Sequence, residues 1–178
     1  MPAHSIDWFN VEVKQSNLAE AMGFAYKGFG DSATSFFDKF QRSGFMKRFE
    51  RGDGRATLGC SGCELALMIN NRLGGRNQLA DFEDRCNFTT ITSPVEYWIG
   101  YALGYLQGRS GLPFSGIFSY IPLESWYGLH ILHEVGDEAL WDKTLGKHID
   151  AKSAETCKFG GKEQAEHGAD SSFPCHEG

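Results

Sequence analysis

The sequence predicts an all-α fold, organised as a single-domain helical bundle around one central, aromatic-rich helix. First, apolar residues recur at helical spacing in several segments between residues 17 and 149. Second, capping residues and glycines stand at the ends of these segments. Third, a length of 178 residues fits one domain with a sizeable core, and an aromatic content of 13% predicts that large rings fill it.

The two ends of the chain lack this pattern. Residues 1–16 are weakly patterned, and Ile6, Trp8 and Phe9 suggest either a short strand or an arm lying on the helical domain. Residues 150–178 are rich in Gly, Lys, Glu, Ser and His and poor in aromatic residues, which predicts a flexible polar tail. The helical domain is therefore assigned to residues 17–149.

Two helices are predicted in the first part of this domain. Asn17 caps the first, which ends at residues 28–30 and has as its buried face Leu18, Ala21, Met22, Ala25 and Tyr26. The second begins at Asp31 or Ser32, ends at Gly44 and has as its buried face Ala33, Phe36, Phe37 and Phe40. Residues 45–49 suggest one more helical turn.

Capping chemistry marks the next helix. Ser61 and Glu64 have the spacing of a capping box, in which each side chain bonds the backbone of the other residue. The amphipathic helix that follows ends at residues 74–75, a pair of glycines. A further helix is predicted over residues 78–86.

The central helix is the most strongly patterned element. Ser93 and Glu96 repeat the capping box, and Pro94 suits the first helical position. One face holds Val95, Trp98, Ile99, Ala102 and Leu106, and a neighbouring face holds Tyr97, Tyr101 and Tyr105. Gly108 is the predicted end. Because most of the circumference is apolar or aromatic, cover on several sides is expected.

Three shorter helical elements follow the central helix. The first spans residues 115–121, and Pro122 either ends it or opens the next element. The second spans residues 123–133 with its apolar positions at helical spacing. Asp137 is the predicted N-cap of the third, which ends near Gly146.

Charge and cysteine usage limit the classes of function. A formal net charge of −6 argues against non-specific binding to nucleic acid or anionic lipid and suits a basic protein partner. Residues 1–10 lack the features of a secretory signal, and the apolar run of the central helix is shorter than the ~20 residues that a membrane span needs. The 5 cysteines show no disulfide-framework spacing. We therefore expect a cytoplasmic protein with mostly reduced thiols.

Two residue pairs have spacings that occur in metal or redox sites. His130 and His133 can face one side of a helix, as pairs of zinc ligands do. Because no third ligand is identifiable, we prefer structural roles, with His130 at the edge of the aromatic core and His133 near a helix end. Cys60 and Cys63 form a Cys-x-x-Cys pair in which a thiol near a helix N-terminus can have a lowered pKa. The strand that precedes redox pairs of this type is missing, which favours a structural role.

Residues 112–129 allow a helix-turn-helix interpretation. Its second element carries none of the Arg, Lys, Asn or Gln side chains that read DNA, so DNA binding is disfavoured. The hypothesis of a DNA-binding regulator would be favoured again by a basic face built from Lys47, Arg48, Arg51 and Arg55. No catalytic motif or assignable carboxylate pair is present, and no cofactor is implied. An enzyme stays an alternative, because the spacing of residues in the sequence does not reveal an active site that is assembled in three dimensions.

Three segments, at residues 37–52, 61–66 and 93–105, resemble a group of small proteins found mainly in gut bacteria. The most characteristic is the stretch SPVEYWIGYALGY, at residues 93–105. Members of this group lie beside toxin-like genes, some of them similar to ADP-ribosyltransferases. The resemblance implies an antitoxin-like or accessory binding role.

The leading hypothesis is thus a cytoplasmic protein-interaction module that binds a protein partner through Tyr97, Tyr101, Tyr105, Trp126 and Tyr127, since aromatic side chains anchor interfaces. One alternative is a small enzyme or metal-binding protein that uses His130, His133 and Glu134, or Cys60 and Cys63. The other is a transcription regulator derived from a helix-turn-helix fold.

Overall fold

A computed structural model describes residues 7–54, 56, 59–75 and 94–149. Within these residues every regular element is helical, which confirms the all-α prediction. The elements are α1 (Trp8–Phe29), α2 (Ala33–Arg42), α3 (Phe45–Glu50), α4 (Gly62–Arg72), α5 (Val95–Ser110), α6 (Phe114–Tyr120), a 3₁₀ segment (Leu123–Glu134), α7 (Asp137–Trp141) and a π-helical turn (Asp142–Gly146).

Helix α1 is longer than the sequence indicated. It begins at Trp8, with the Asp7 carboxylate accepting a bond from the Asn10 amide, so the predicted strand or arm is wrong for Trp8 and Phe9. Asn17 is not a cap: it lies in the middle of α1 and donates its side-chain amide to the Cys60 carbonyl. Residues 8–16 are helical because their inner face, including Val11, packs against α5.

The predicted starts of α2 and α4 are confirmed. Ser32 accepts a bond from the Ser35 amide at the start of α2, whose buried side chains are Ala33, Phe36, Phe37 and Phe40. At the start of α4 both halves of the capping box are formed: the Glu64 amide donates to the Ser61 hydroxyl, and the Ser61 amide donates to the Glu64 carboxylate. These caps satisfy backbone donors that a helix start leaves unpaired.

Helices α1 and α5 pack closely through three glycines. A Cβ added to Gly100 would lie 2.5 Å from the Leu18 carbonyl oxygen, and one added to Gly104 would lie 2.6 Å from the Lys14 carbonyl oxygen. A Cβ added to Gly108 would lie 2.9 Å from the Val11 Cα. Each of these distances is shorter than a carbon atom can tolerate. Glycine at every fourth position therefore lets the backbone of α5 touch the backbone of α1. We call Gly100, Gly104 and Gly108 with the α1 backbone they touch the glycine contact.

On another side of the core, α2, α3 and α6 meet through aromatic rings. The ring centroids of Phe37 and Phe114 lie 5.1 Å apart, and those of Phe40 and Phe49 lie 5.7 Å apart. Most of these pairs meet at steep angles, the arrangement that the charge distribution of aromatic rings favours. We call this group the phenylalanine cluster; its members are Phe36, Phe37, Phe40, Phe49, Phe114 and Phe118.

Several predicted helix ends differ from the observed ones. Pro94 is the N-cap of α5, one residue later in the chain than the predicted cap Ser93, and the Ser93 half of the predicted capping box lies outside the described residues. Helix α5 continues past Gly108, which packs on α1, and ends at Gly111 with φ 67°. Helix α7 is capped by Gly136, while the predicted cap Asp137 uses its carboxylate to accept a bond from α1.

Residues 123–133, predicted as a helix, form a 3₁₀ helix instead. The 3₁₀ segment extends for 12 residues, whereas runs beyond about 3–4 residues are uncommon in this conformation. The predicted helix at residues 78–86 and the predicted tail at residues 150–178 lie outside the described residues. Among the described helices, none combines the length and the apolar character that crossing a membrane requires.

Candidate interaction surface

The tyrosine row of α5 differs in exposure along its length. Tyr105 is 1% exposed and belongs to the core, whereas Tyr97 and Tyr101 are half-buried. The difference arises because α1, α7 and Arg109 enclose the end of α5 that carries Tyr105. Solvent therefore reaches two neighbouring rings of the row, one helical turn apart.

Carboxylates surround these two rings. The Tyr101 hydroxyl lies 3.5 Å from the Asp137 carboxylate, which also accepts a 3.2 Å bond from the Gln15 side-chain amide. Burial, together with the negative charge of Asp137, raises the pKa of Tyr101 to about 12. Burial and the nearby Glu20 carboxylate raise the pKa of Tyr97 as well. At neutral pH both hydroxyls are therefore protonated donors, and neither can act as a general base.

Arg109 closes one end of this surface. Its guanidinium donates to the Tyr105 hydroxyl and forms a 2.7 Å ion pair with Glu138. The same guanidinium lies 4.4 Å from the centre of the Trp141 ring and 5.9 Å from that of Trp8. The Glu138 side chain is 70% exposed while that of Arg109 is 15% exposed, so the acidic partner is the one that faces solvent.

These groups define one surface, which we call the acidic tyrosine face. It joins the protonated tyrosine hydroxyls of α5 to carboxylates from two other helices, α1 and α7, and its residues are Glu20, Tyr97, Tyr101, Asp137 and Glu138. The aromatic rings offer apolar area and the carboxylates offer bond acceptors. Such a surface suits Lys and Arg side chains of a partner.

Trp126 and Tyr127 have structural roles in the 3₁₀ segment. Trp126 is fully buried, and its ring centroid lies 6.1 Å from that of Trp98. Its indole N–H has no hydrogen-bond partner among the described groups. Tyr127 is 40% exposed, but its hydroxyl donates to the Glu96 carboxylate and accepts from the Ala33 amide, each at 3.0 Å. Tyr127 thereby ties α2 and α5 to the 3₁₀ segment.

The sequence hypothesis of five exposed aromatic anchors is therefore corrected for two of them. Tyr105 and Trp126 are enclosed in the core and offer no surface to a partner. Tyr97 and Tyr101 keep an accessible edge, and Tyr127 is accessible with its hydroxyl already bonded. The periodicity of the row could not distinguish these cases, because exposure depends on which helices pack against α5.

The histidine pair is stacked instead of converging on a common point. The rings of His130 and His133 are 4.5 Å apart and 10° from parallel, and the His130 ring meets Trp98 edge-on at 5.4 Å. The Nδ1 atom of His133 lies 2.7 Å from the His130 carbonyl oxygen. Across the described ranges, no group of three or more His, Cys, Asp or Glu side chains is placed to hold a metal ion.

The cysteine pair lies where α4 begins. Cys63 is buried in the first turn, and Cys60 is half-buried just before it. Burial, assisted by the Glu64 carboxylate, raises the pKa of the Cys60 thiol. A raised pKa lowers the thiolate fraction at neutral pH, the opposite of what a reactive redox cysteine needs.

The structure differs from the helix-turn-helix interpretation in the second of its two elements. Its first element is α6, but its second is the 3₁₀ segment and not an α-helix. Of the basic residues proposed for a nucleic-acid face, Lys47 and Arg51 are exposed, while Arg48 is paired with Asp53 at 2.9 Å. Arg55 lies outside the described residues.

Sequence reasoning missed a buried polar group at the junction of α1, α3 and α5. Lys14 is 5% exposed, and its ammonium donates to the Gln107 side-chain oxygen at 2.8 Å and to the Glu50 carbonyl at 3.1 Å. Gln107 in turn donates to the same carbonyl at 3.2 Å. Burial lowers the pKa of Lys14, and the Glu50 charge opposes this effect. The sequence signal that could have revealed this group is the position of Lys14 on the same helical face of α1 as the buried residues Val11 and Leu18.

Comparisons of the chain with protein-family models, with curated proteins and with solved structures return no match.

Proposed function

We propose that the protein is a cytoplasmic, single-domain interaction module, antitoxin-like or accessory, that binds a basic protein partner through the acidic tyrosine face. The observation that carries this proposal is the grouping of Tyr97 and Tyr101 with the carboxylates of Asp137 and Glu138. The overall charge of −6 supports the same choice of partner. By the resemblance noted above, the partner that we expect is a toxin-like protein.

The physical argument concerns preorganisation. Tyr101 is half-buried beside Asp137, so its ring gives up little freedom when a partner covers it. Glu138 is exposed and paired only on one side with Arg109, so it can accept a further bond from a partner's Arg or Lys. Steering by the negative charge would raise the association rate and make it sensitive to salt.

The test compares two single charge reversals. Glu138→Lys changes the proposed face, and Glu124→Lys makes the same change of charge in the 3₁₀ segment, at an exposed position outside that face. Each tagged full-length protein is used to capture partners from a lysate of the source organism, and captured proteins are quantified by mass spectrometry. We expect wild type and Glu124→Lys to retain one stoichiometric basic protein and Glu138→Lys to lose it by at least about tenfold, the order expected for a charged interface contact.

The folded state of each variant is checked by thermal unfolding. Because the Arg109–Glu138 pair is largely solvent-exposed on the Glu138 side, its loss should cost less than about 1 kcal/mol. The proposal is abandoned if the basic protein binds Glu138→Lys as well as wild type, or if no protein binds in stoichiometric amounts. Binding of the reconstituted pair should also weaken with increasing salt.

A further inference from the structure

A half-open cavity of about 330 Å³ lies beside α3, and none of the residues that line it belongs to the acidic tyrosine face. Two arginines line it: Arg48 from α3 and Arg72 from the last turn of α4. The remaining lining residues come from the turn before α3 and its first residue, namely Ser43, Gly44 and Phe45. The lining thus includes two arginines from separate helices and one phenylalanine.

The segment that supplies most of the lining is rich in basic residues although the chain as a whole is negative. Residues 39–51 contain five basic residues, Lys39, Arg42, Lys47, Arg48 and Arg51, and one acidic residue, Glu50, in a chain of net charge −6. Lys39, Arg42 and Arg48 are each paired with an aspartate, whereas no ion pair joins Arg72 to another described residue. The excess of basic over acidic residues that remains after this pairing favours an anion at the cavity.

Arg48 is already held in position. Its Nε atom donates to the Asp53 carboxylate at 2.9 Å, and its guanidinium lies 5.4 Å from the centre of the Phe45 ring. A guanidinium fixed through Nε keeps its terminal amino groups for a ligand. The negative charge of Asp53 offsets part of the attraction, so a dianionic group gains more at this site than a single carboxylate does.

We propose that this cavity binds the phosphoryl group of a small phosphate ester, with Arg48 and Arg72 donating to its oxygens and Phe45 contacting the organic part. Arginine forks match phosphate oxygens in geometry as well as charge. The volume lies at the lower end of the range of about 300–1,000 Å³ that small-molecule sites occupy. A nucleic-acid strand needs a longer basic track than one cavity supplies.

The experiment titrates the full-length protein with phenyl phosphate and, separately, with a short single-stranded oligonucleotide, using calorimetry. We expect saturable one-site binding of phenyl phosphate that Arg72→Gln weakens by at least about tenfold, the loss of one charge-assisted contact. Lys47→Gln is the matched control, because it removes the same charge from an exposed neighbour that does not line the cavity. It should weaken binding by less than about threefold.

Three results would overturn the proposal. One is a phenyl phosphate titration that never saturates, which indicates general ion attraction. Another is an equal effect of Arg72→Gln and Lys47→Gln, since only one of these residues lines the cavity. The last is tighter binding of the oligonucleotide, weakened equally by both variants, which would identify the basic surface as a strand-binding track. Circular dichroism establishes that each variant keeps the helical content of wild type.

Discussion

The glycine contact and the phenylalanine cluster bury surface in opposite ways. In the glycine contact, Gly104 of α5 meets the Lys14 carbonyl of α1 so closely that a single added carbon would lie 2.6 Å from that oxygen. In the phenylalanine cluster, large buried rings such as Phe40 and Phe114 fill the space between the helices. One region depends on the absence of side chains and the other depends on their volume.

This difference predicts opposite sensitivities to substitution. A region held by volume is damaged when atoms are removed, because a cavity remains. A region held by close backbone contact is damaged when atoms are added, because the helices must separate. The two regions can therefore be distinguished by the sign of the volume change that destabilises each.

The largest effect is expected for Phe40→Ala. Phe40 is fully buried, with ring neighbours that include Phe36, Phe49 and Phe114. We expect the free energy of unfolding, measured by urea denaturation, to fall by about 3–5 kcal/mol, the range for deleting a buried phenyl ring. Phe40→Leu keeps most of the volume and should cost less than about 2 kcal/mol. Equal costs for the two variants would contradict a role for volume.

The next effect is expected for Gly104→Ala. The added methyl group meets the Lys14 carbonyl oxygen, which belongs to the α1 backbone and cannot rotate away. The free energy of unfolding should therefore fall by about 2–3 kcal/mol, even though alanine favours a helix by about 1 kcal/mol over glycine. This one-carbon addition should cost more than Phe40→Leu.

The control for that prediction is Gly116→Ala in α6. Its added Cβ would have no neighbour closer than 3.5 Å, so the change should be neutral or stabilising by up to about 1 kcal/mol. If Gly104→Ala behaves like Gly116→Ala, α1 and α5 can separate at little cost, and the glycine contact is not what holds them.

The smallest effect concerns Lys14, which joins the two regions. Its backbone lies in the glycine contact, and its ammonium reaches the Glu50 carbonyl at the end of α3. Because burial lowers its pKa in the folded protein, the unfolded chain binds more protons than the folded one between that pKa and 10.5. Raising the pH through this window therefore stabilises the folded state.

Lys14→Met removes this titration. The free energies of unfolding of wild type and Lys14→Met are measured by urea denaturation at several pH values from 7 towards 10. We expect the wild-type value minus the Lys14→Met value to increase with pH, by less than ~1.4 kcal/mol per pH unit. Tyr101, whose folded-state pKa is raised to about 12, adds a pH dependence of its own as the unfolded chain loses that proton, but both proteins carry Tyr101 and the contribution cancels in the difference. A difference that stays constant with pH would mean that the Lys14 pKa is not lowered.

The sequence was most informative where few neighbouring residues decide the outcome. The starts of α2 at Ser32 and α4 at Ser61 were predicted because a cap is a local bond between residues three positions apart. The buried face of α2 followed from the spacing of Phe36, Phe37 and Phe40. In each case the chemistry is complete within one or two helical turns.

Sequence reasoning was least informative about the exposure of the candidate site. The tyrosines of α5 share one periodicity, yet Tyr105 is buried and Tyr101 is half-buried, because Arg109 and the residues around it cover one end of the row. The contribution of Asp137 was also out of reach, since it lies 36 residues from Tyr101 in sequence. The acidic tyrosine face exists only after α7 has docked.

By itself, the sequence determined the helical class, the capped starts of α2 and α4, and the aromatic character of the core. The tertiary structure decided that Gly108 continues α5 instead of ending it, and that residues from Trp8 onward are helical. The physical reason is the same in both cases. A glycine ends an isolated helix readily, but against the α1 backbone its missing side chain permits a close contact, and that contact stabilises both helices.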